Sequence, residues 1–191
     1  MTCCFTGHRY FPWSDESKSI LYKSLMQKLE DAVDETINRG IAHFICGNAV
    51  GVDTWAAALV LKKKRVHPQI FLEIALPFAG HNANESACQR VQQQADLVHV
   101  VGTAKNRRFA FFERDRYMVD HSDLLIAVYC KRIAAKPGTL VFYACGSISG
   151  RIRIPFARGL WGSCGRMYAD ILSRNERSCI PGCCHVCKAI Q

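Results

Sequence analysis

Five short apolar runs, each closed by a glycine, a proline or a polar turn, alternate with stretches whose apolar residues recur three or four apart. This alternation constrains the fold more than any other feature of the chain. The runs are Cys3-Cys4-Phe5-Thr6, stopped by Gly7; Ile41 to Cys46, stopped by Gly47; Ile70 to Leu76, stopped by Pro77; Leu97 to Val101; and Leu124 to Tyr129. Their brevity and apolar character predict strands. Ile20, Leu21, Leu25, Met26, Leu29, Val33 and Ile37 carry helical spacing within Ser14 to Arg39, with Ser14 or Asp15 as a start signal and Gly40 as a stop. Helices are also predicted from Val52 to Lys64, Glu85 to Ala95, Phe109 to His121 and Thr139 to Cys145.

Strands that are apolar throughout, rather than alternating, belong in a parallel sheet covered by helices. The order β-α-β-α-β-α-β-α-β therefore predicts an α/β, Rossmann-like, doubly wound domain with a mainly parallel sheet flanked by helices. In such sheets ligands bind at the carboxyl ends of the strands. The residues just after each strand become the candidates for function.

Composition narrows the class. Hydrophobic residues make up 49% and charged residues 21%, a globular balance. No apolar run approaches the roughly 18–20 residues of a membrane span, and the N-terminus lacks the basic start and apolar core of a signal peptide. A cytoplasmic location is expected, with no membrane partner. The 11 cysteines are an odd number, which disfavours a disulfide framework in a reducing compartment.

Charge and cysteines are unevenly placed. Residues 1–150 hold 18 Lys+Arg and 14 Asp+Glu, whereas residues 151–191 hold 7 and 2 and also carry five cysteines. The chain is therefore read as a domain over 1–150 and a basic, Cys-rich tail over 151–191. Only Arg151-Ile152-Arg153-Ile154-Pro155 offers a further strand there. Cys179, Cys183, Cys184 and Cys187 form a weak zinc motif. Tetrahedral sites normally use two separated pairs, and these four are crowded. No metal is expected. An unstructured tail with reactive thiols, or a shifted reading frame, are the competing readings.

Three small-residue turns follow strands. Thr6-Gly7-His8-Arg9 follows the first; Arg9 can fork onto a phosphate or carboxylate. Gly47-Asn48-Ala49-Val50-Gly51-Val52-Asp53 follows the second and opens a helix, where backbone N–H groups suit an anion. Asp53 can serve the helix dipole, hold a ribose hydroxyl or orient Arg9. Lys136-Pro137-Gly138-Thr139 follows the fifth, again before a predicted helix. Each turn alone is a weak signal. In a parallel sheet they converge on one edge, and convergence predicts a nucleotide-type pocket. Phe78, after Pro77, can stack on a base or pack in the core. The stretch from Arg114 to Asp123 suits either a solvated helix face or a site, with Met118 and Val119 as core residues.

Taken together, several motifs resemble the SLOG superfamily, and within it the YpsA/YoqJ-like (DUF1273) group. They are Gly7-His8-Arg9, Gly47-x-Ala49-x-Gly51-x-Asp53 followed by Ala56-Ala57, Leu76-Pro77-Phe78, Arg114-x-x-x-Met118-Val119-Asp120-x-Ser122-Asp123 and Gly138-Thr139. The resemblance covers roughly residues 2–150 in the expected order. It implies a Rossmann-like fold that binds a nucleotide or nucleotide-derived ligand, such as ADP-ribose or an NAD-related molecule. Many members are regarded as ligand sensors, some relatives are linked to cell division in Firmicutes or to phage and stress defence, and the DprA branch binds single-stranded DNA. Carried onto this chain, the ligand-binding residues are Thr6, Gly7, His8, Arg9, Gly47, Ala49, Gly51, Asp53, Pro77, Arg114, Gly138 and Thr139.

The chain departs from the pattern at Asp115, where the family has Asn, and at Pro137, where it has Gly. The related LOG phosphoribohydrolases carry a catalytic Glu three residues after the Thr; here Phe142 stands there. No catalytic residue is therefore assigned. A ligand sensor or binding protein is the leading expectation. A nucleotide-processing hydrolase of the LOG type is second. A DprA-like single-stranded DNA binder is third, because interleaved aromatic and basic residues are lacking. A homo-oligomer is compatible with all three.

Overall fold

The computed structural model describes residues 1–11, 20–129 and 185–190. Its strands are β1 (Thr2–Gly7), β2 (His43–Cys46), β3 (Phe71–Leu76), β4 (Leu97–Val100), β5 (Leu124–Tyr129) and β6 (His185–Ile190). Its helices are α1 (Ile20–Asn38), α2 (Val52–Lys64), α3 (Ser86–Gln94) and α4 (Arg107–Asp120). The predicted helix at Thr139–Cys145 and the candidate strand at Arg151–Pro155 lie outside the described residues.

The sheet order is β4-β3-β2-β1-β5-β6. The first five strands are parallel, with Cys4 beside Ile45 and Leu125, and Ile45 beside Glu73. This is the Rossmann-like α/β arrangement expected. β6 pairs antiparallel with β5, Leu124 lying opposite Ile190. The tail therefore supplies a strand that the sequence did not announce. His185 to Ile190 is too short and too mixed to stand out from a basic, cysteine-rich context.

Strands β1 to β4 step outward in one direction, so right-handed crossovers place α1, α2 and α3 on one face and α4 on the other. Packing agrees. The main core takes Cys3 and Phe5, Phe44 and Cys46, Leu72 and Ile74, and Leu124 and Ile126 from alternate strand positions. It takes Leu25, Leu29 and Val33 from α1, Val52, Ala56 and Val60 from α2, and Val91 from α3. The intervening positions, Cys4, Ile45, Glu73 and Leu125, face the α4 side.

That second face is not uniformly apolar. Glu73, 3% exposed, sits among strands read as apolar throughout. Its carboxylate accepts from Tyr117 Oη at 2.7 Å and lies 2.9 Å from His99 Nε2 and 2.8 Å from His43 Nε2. A buried carboxylate is tolerable only with such partners. At the sheet edge, Leu97, Val98 and Val100 of β4 are 38–47% exposed, so this strand is not buried on both faces.

Of the predicted helix-end signals, Gly40 is found in its role, the Ser14 or Asp15 start lies outside the described residues, and α4 starts two residues before the expected Phe109. Gly40 (φ 84) closes α1 in the left-handed region, its N–H donating to the Ile37 carbonyl at 2.8 Å. Asn106 caps α4 by accepting from the Arg108 N–H at 2.9 Å. Among the described residues, no helix is long and apolar enough to cross a membrane.

Candidate functional site at the carboxyl edge

The strand order reverses at β1, which lies between β2 and β5. The carboxyl ends of these strands form the crevice in which such folds bind ligands. Gly7 ends β1, and His8 and Arg9 follow it; Gly47 to Gly51 link β2 to α2; Pro77 follows β3. The sequence-predicted residues in these turns are therefore neighbours. Gly138 and Thr139 lie outside the described residues.

The β1 turn and the β2–α2 loop lock together. Gly51 (φ 88) sits in the left-handed region, where an added Cβ would stand 2.5 Å from the Arg9 carbonyl oxygen and 2.6 Å from that of His8. Only glycine satisfies both demands. The Val52 N–H donates to the His8 carbonyl at 3.3 Å, and Thr54 Oγ1 donates to the Gly51 carbonyl at 2.9 Å. One helix-start N–H is thus already engaged by the protein.

Asp53 closes the loop on itself. Its Oδ2 accepts from the Ala49 N–H at 3.2 Å, and the Gly47 backbone also bonds to it. Arg114 Nη1 lies 3.6 Å away, and Arg114 Nε lies 2.9 Å from Asp115 Oδ1. All three side chains are about nine-tenths buried. Burial raises the Asp53 carboxyl above its usual value, against the pull of Arg114, the loop N–H groups and Arg9. Burial also pushes Asp115 up to about 6, with Arg114 opposing and Asp53 adding to the rise. Beside the three roles read from the sequence, Asp53 shapes the loop and pairs with Arg114.

Arg114 reaches this position because position 47 has no side chain. A Cβ there would fall on the Arg114 Nη1. Arg114 comes from α4, across the sheet from α2, so the two halves of the crevice meet through this contact. Asn48, next to it, adopts φ 53 and is fully buried, and neither end of its side-chain amide has a hydrogen-bonding partner among the described residues.

An aromatic group surrounds the arginines. The Arg9 and Arg114 guanidinium carbons lie 5.6 and 5.9 Å from the centre of the Phe111 ring. Phe111 also meets Phe78 at 5.6 Å and His81 at 5.2 Å, edge to face. Burial, then the charges of Arg114 and Arg9, lowers His81 to about 4. His81 is therefore neutral at pH 7, chiefly because it is buried.

Sequence reading thus found Arg9, Gly47, Ala49, Gly51, Asp53, Pro77 and Arg114 in one region. It left Phe78 between stacking and core, and it missed Asn48, His81 and Phe111. Signals for two of these existed. Asn between two glycines suits the left-handed region, and Phe111 stands three residues before Arg114, on the same helix face. His81 had no comparable signal.

Among the described residues, no group of three or more His, Cys, Asp or Glu could hold a metal ion. Of the tail cysteines, Cys179, Cys183 and Cys184 lie outside the described residues, and Cys187 is described only as part of the β6 backbone.

These features define a Rossmann-like α/β domain with a partly buried, arginine-lined carboxyl edge. A model of the YpsA family, described as the YspA SLOG family, matches residues 3–144, and the chain belongs to that family. It is 26% identical over 145 residues to the UPF0398 protein SERP1017 of Staphylococcus epidermidis, covering 71% of this chain and 76% of the relative. It is 23% identical, with the same coverage, to the UPF0398 protein SaurJH9_1506 of Staphylococcus aureus.

Proposed function

We propose that this protein binds a nucleotide or nucleotide-derived ligand, such as ADP-ribose or an NAD-related molecule, at the carboxyl edge of its sheet, as a sensor or ligand-binding protein. The observation that carries the reading is the convergence of Arg9 and Arg114 over one ring, Phe111, beside the β2–α2 loop. Two guanidinium groups beside the loop suit a phosphate. The phosphate falls to Arg9, which is exposed, while Arg114 is held by two carboxylates and sets the background field. The Phe78–His81–Phe111 group offers apolar surface for a base.

Isothermal titration of the full chain against nucleoside mono-, di- and triphosphates, NAD and ADP-ribose tests this reading. Micromolar or tighter binding by one of them, weakened at least about tenfold by Arg9→Ala, is expected. Folded protein that binds none of them sinks it.

A further inference from the structure

A concave surface runs from Arg9 and Gly51 at the carboxyl edge onto the helical face away from α4. It is a groove of about 720 Å³ that follows α2 from Gly51 to Arg65 and is walled by α3. Arg9, Lys62, Arg65 and Arg90 line it, and no carboxylate does so among the described lining residues. Its floor includes Trp55, Ala58, Leu61 and Val91. Lys62 is tethered to Glu30 at 2.9 Å yet remains 63% exposed, and Arg65 and Arg90 are exposed as well. Four cations around an apolar floor, of which Lys62 is already paired with Glu30, favour an anionic occupant that also carries apolar surface.

The shape separates two kinds of occupant. Single-stranded nucleic acid gains most from aromatic platforms that stack successive bases. Tyr10 and Trp55 are the aromatics among the described lining residues, and the Trp55 ring is already stacked on Phe11 at 5.4 Å and met edge-on by Tyr22 at 5.3 Å, which leaves Tyr10 as a single platform. The rest of the floor is aliphatic, which fits side chains such as Leu. Along α2, 13 residues at a rise of about 1.5 Å each give about 20 Å, room for a short helix laid lengthwise.

We propose that this groove docks an acidic, amphipathic segment of a partner protein, its apolar stripe on Ala58 and Leu61 and its carboxylates on Arg65 and Arg90. The groove begins at Arg9 and Gly51, which the nucleotide reading also uses, and the proposed docking residues lie beyond them, Arg65 just past the end of α2 and Arg90 on α3, whereas Arg114 and Phe111 come from α4 on the opposite face of the sheet.

Fluorescence anisotropy on the full chain tests the proposal. The probe is a labelled peptide as long as α2, with Leu at helical spacing and Glu elsewhere. Its controls are the same peptide with Lys for Glu, and a labelled oligodeoxythymidylate. Saturable binding of the Glu peptide that weakens as salt rises is expected, with no binding of the Lys peptide. Joint Arg65→Glu and Arg90→Glu substitution should weaken it at least about tenfold, and Arg65→Gln with Arg90→Gln should do so to a smaller extent. Circular dichroism and nucleotide titration of the same variants should be unchanged, so the two sites fail separately. The proposal is overturned if the Glu peptide does not bind, if the Lys peptide binds equally, if the oligonucleotide binds more tightly, or if the folded variants bind as the wild type does.

Discussion

The guanidinium of Arg114 occupies the space that a side chain on Gly47 would need. This contact joins α4 on one face of the sheet to the loop that opens α2 on the other. It makes position 47 a packing requirement for the whole carboxyl edge, not merely a flexible turn.

Replacing Gly47 by Ala forces Arg114 out of its place, since neither the Asp53 side chain nor the loop backbone can give way freely. The expected cost is about 1–3 kcal/mol, the usual range for an overpacked site. Arg114→Met strands Asp53 and Asp115 without their shared cation and should cost about 3–5 kcal/mol. The double variant should cost less than the two single losses added, because the clash needs both side chains. Urea unfolding of the four proteins measures this; strict additivity would refute the contact.

Asp115 should make stability fall as pH rises. Its folded carboxyl is pushed up to about 6 from a model-compound value of 3.8, chiefly by burial. The folded state therefore holds its proton more tightly than the unfolded chain does. The contribution is fully present below about pH 4 and is lost as pH rises through about 6. Asp115→Asn mimics the protonated form, so its stability relative to wild type should rise between those limits. At pH 7 it should be more stable, by on the order of 1 kcal/mol after the lost Arg114 ion pair is allowed for. Denaturant midpoints of both proteins from pH 4 to pH 8 give the difference; a flat difference would contradict it.

Glu73 works in the opposite sense. Burial favours its neutral form, but donors from Tyr117, His99 and His43 outweigh burial and hold the carboxyl below its usual value. Its contribution is present above the unfolded value near 4.5 and is lost as pH falls through the lower folded value. Tyr117→Phe removes the 2.7 Å hydroxyl bond that ties α4 to β3 and should cost about 1–3 kcal/mol at pH 7. Measured against wild type down to pH 3, that cost should shrink as Glu73 gains its proton.

How much of this could be read beforehand divides along physical lines. The five parallel strands were legible because each is a short, mainly apolar run, although β4 is half exposed and β3 carries Glu73, and α2 and β5 fall where the sequence pattern placed them. The turn residues were legible because Gly47 and Gly51 follow a strand and precede a helix. Glu73 was not, since a lone acid inside Phe71–Leu76 is made tolerable only by His43, His99 and Tyr117, and their proximity depends on the fold. The Phe78–His81–Phe111 group was hidden for the same reason, as two loop residues meet a third on a distant helix. β6 was hidden because a six-residue strand with Lys188 inside it, in a basic and cysteine-rich stretch, shows no unbroken apolar run.

The four cysteines of the core should be chemically silent. Cys3, Cys4, Cys46 and Cys88 are free thiols and fully buried. Burial pushes Cys4 up to about 12 and Cys88 to about 11, and it drives Cys46 well above the ordinary thiol value. The thiolate is the reactive form, so at pH 7.5 Cys4, Cys46 and Cys88 lack both access and nucleophile, and Cys3 lacks access. Brief iodoacetamide treatment of native protein, followed by peptide mass mapping, should leave all four unmodified. The same treatment in denaturant should label them completely. Labelling of Cys46 or Cys88 at native pH would mean that the loop at Asn48, whose carbonyl takes the Cys88 thiol at 3.6 Å, opens far more readily than its packing around Asp53 and Arg114 allows.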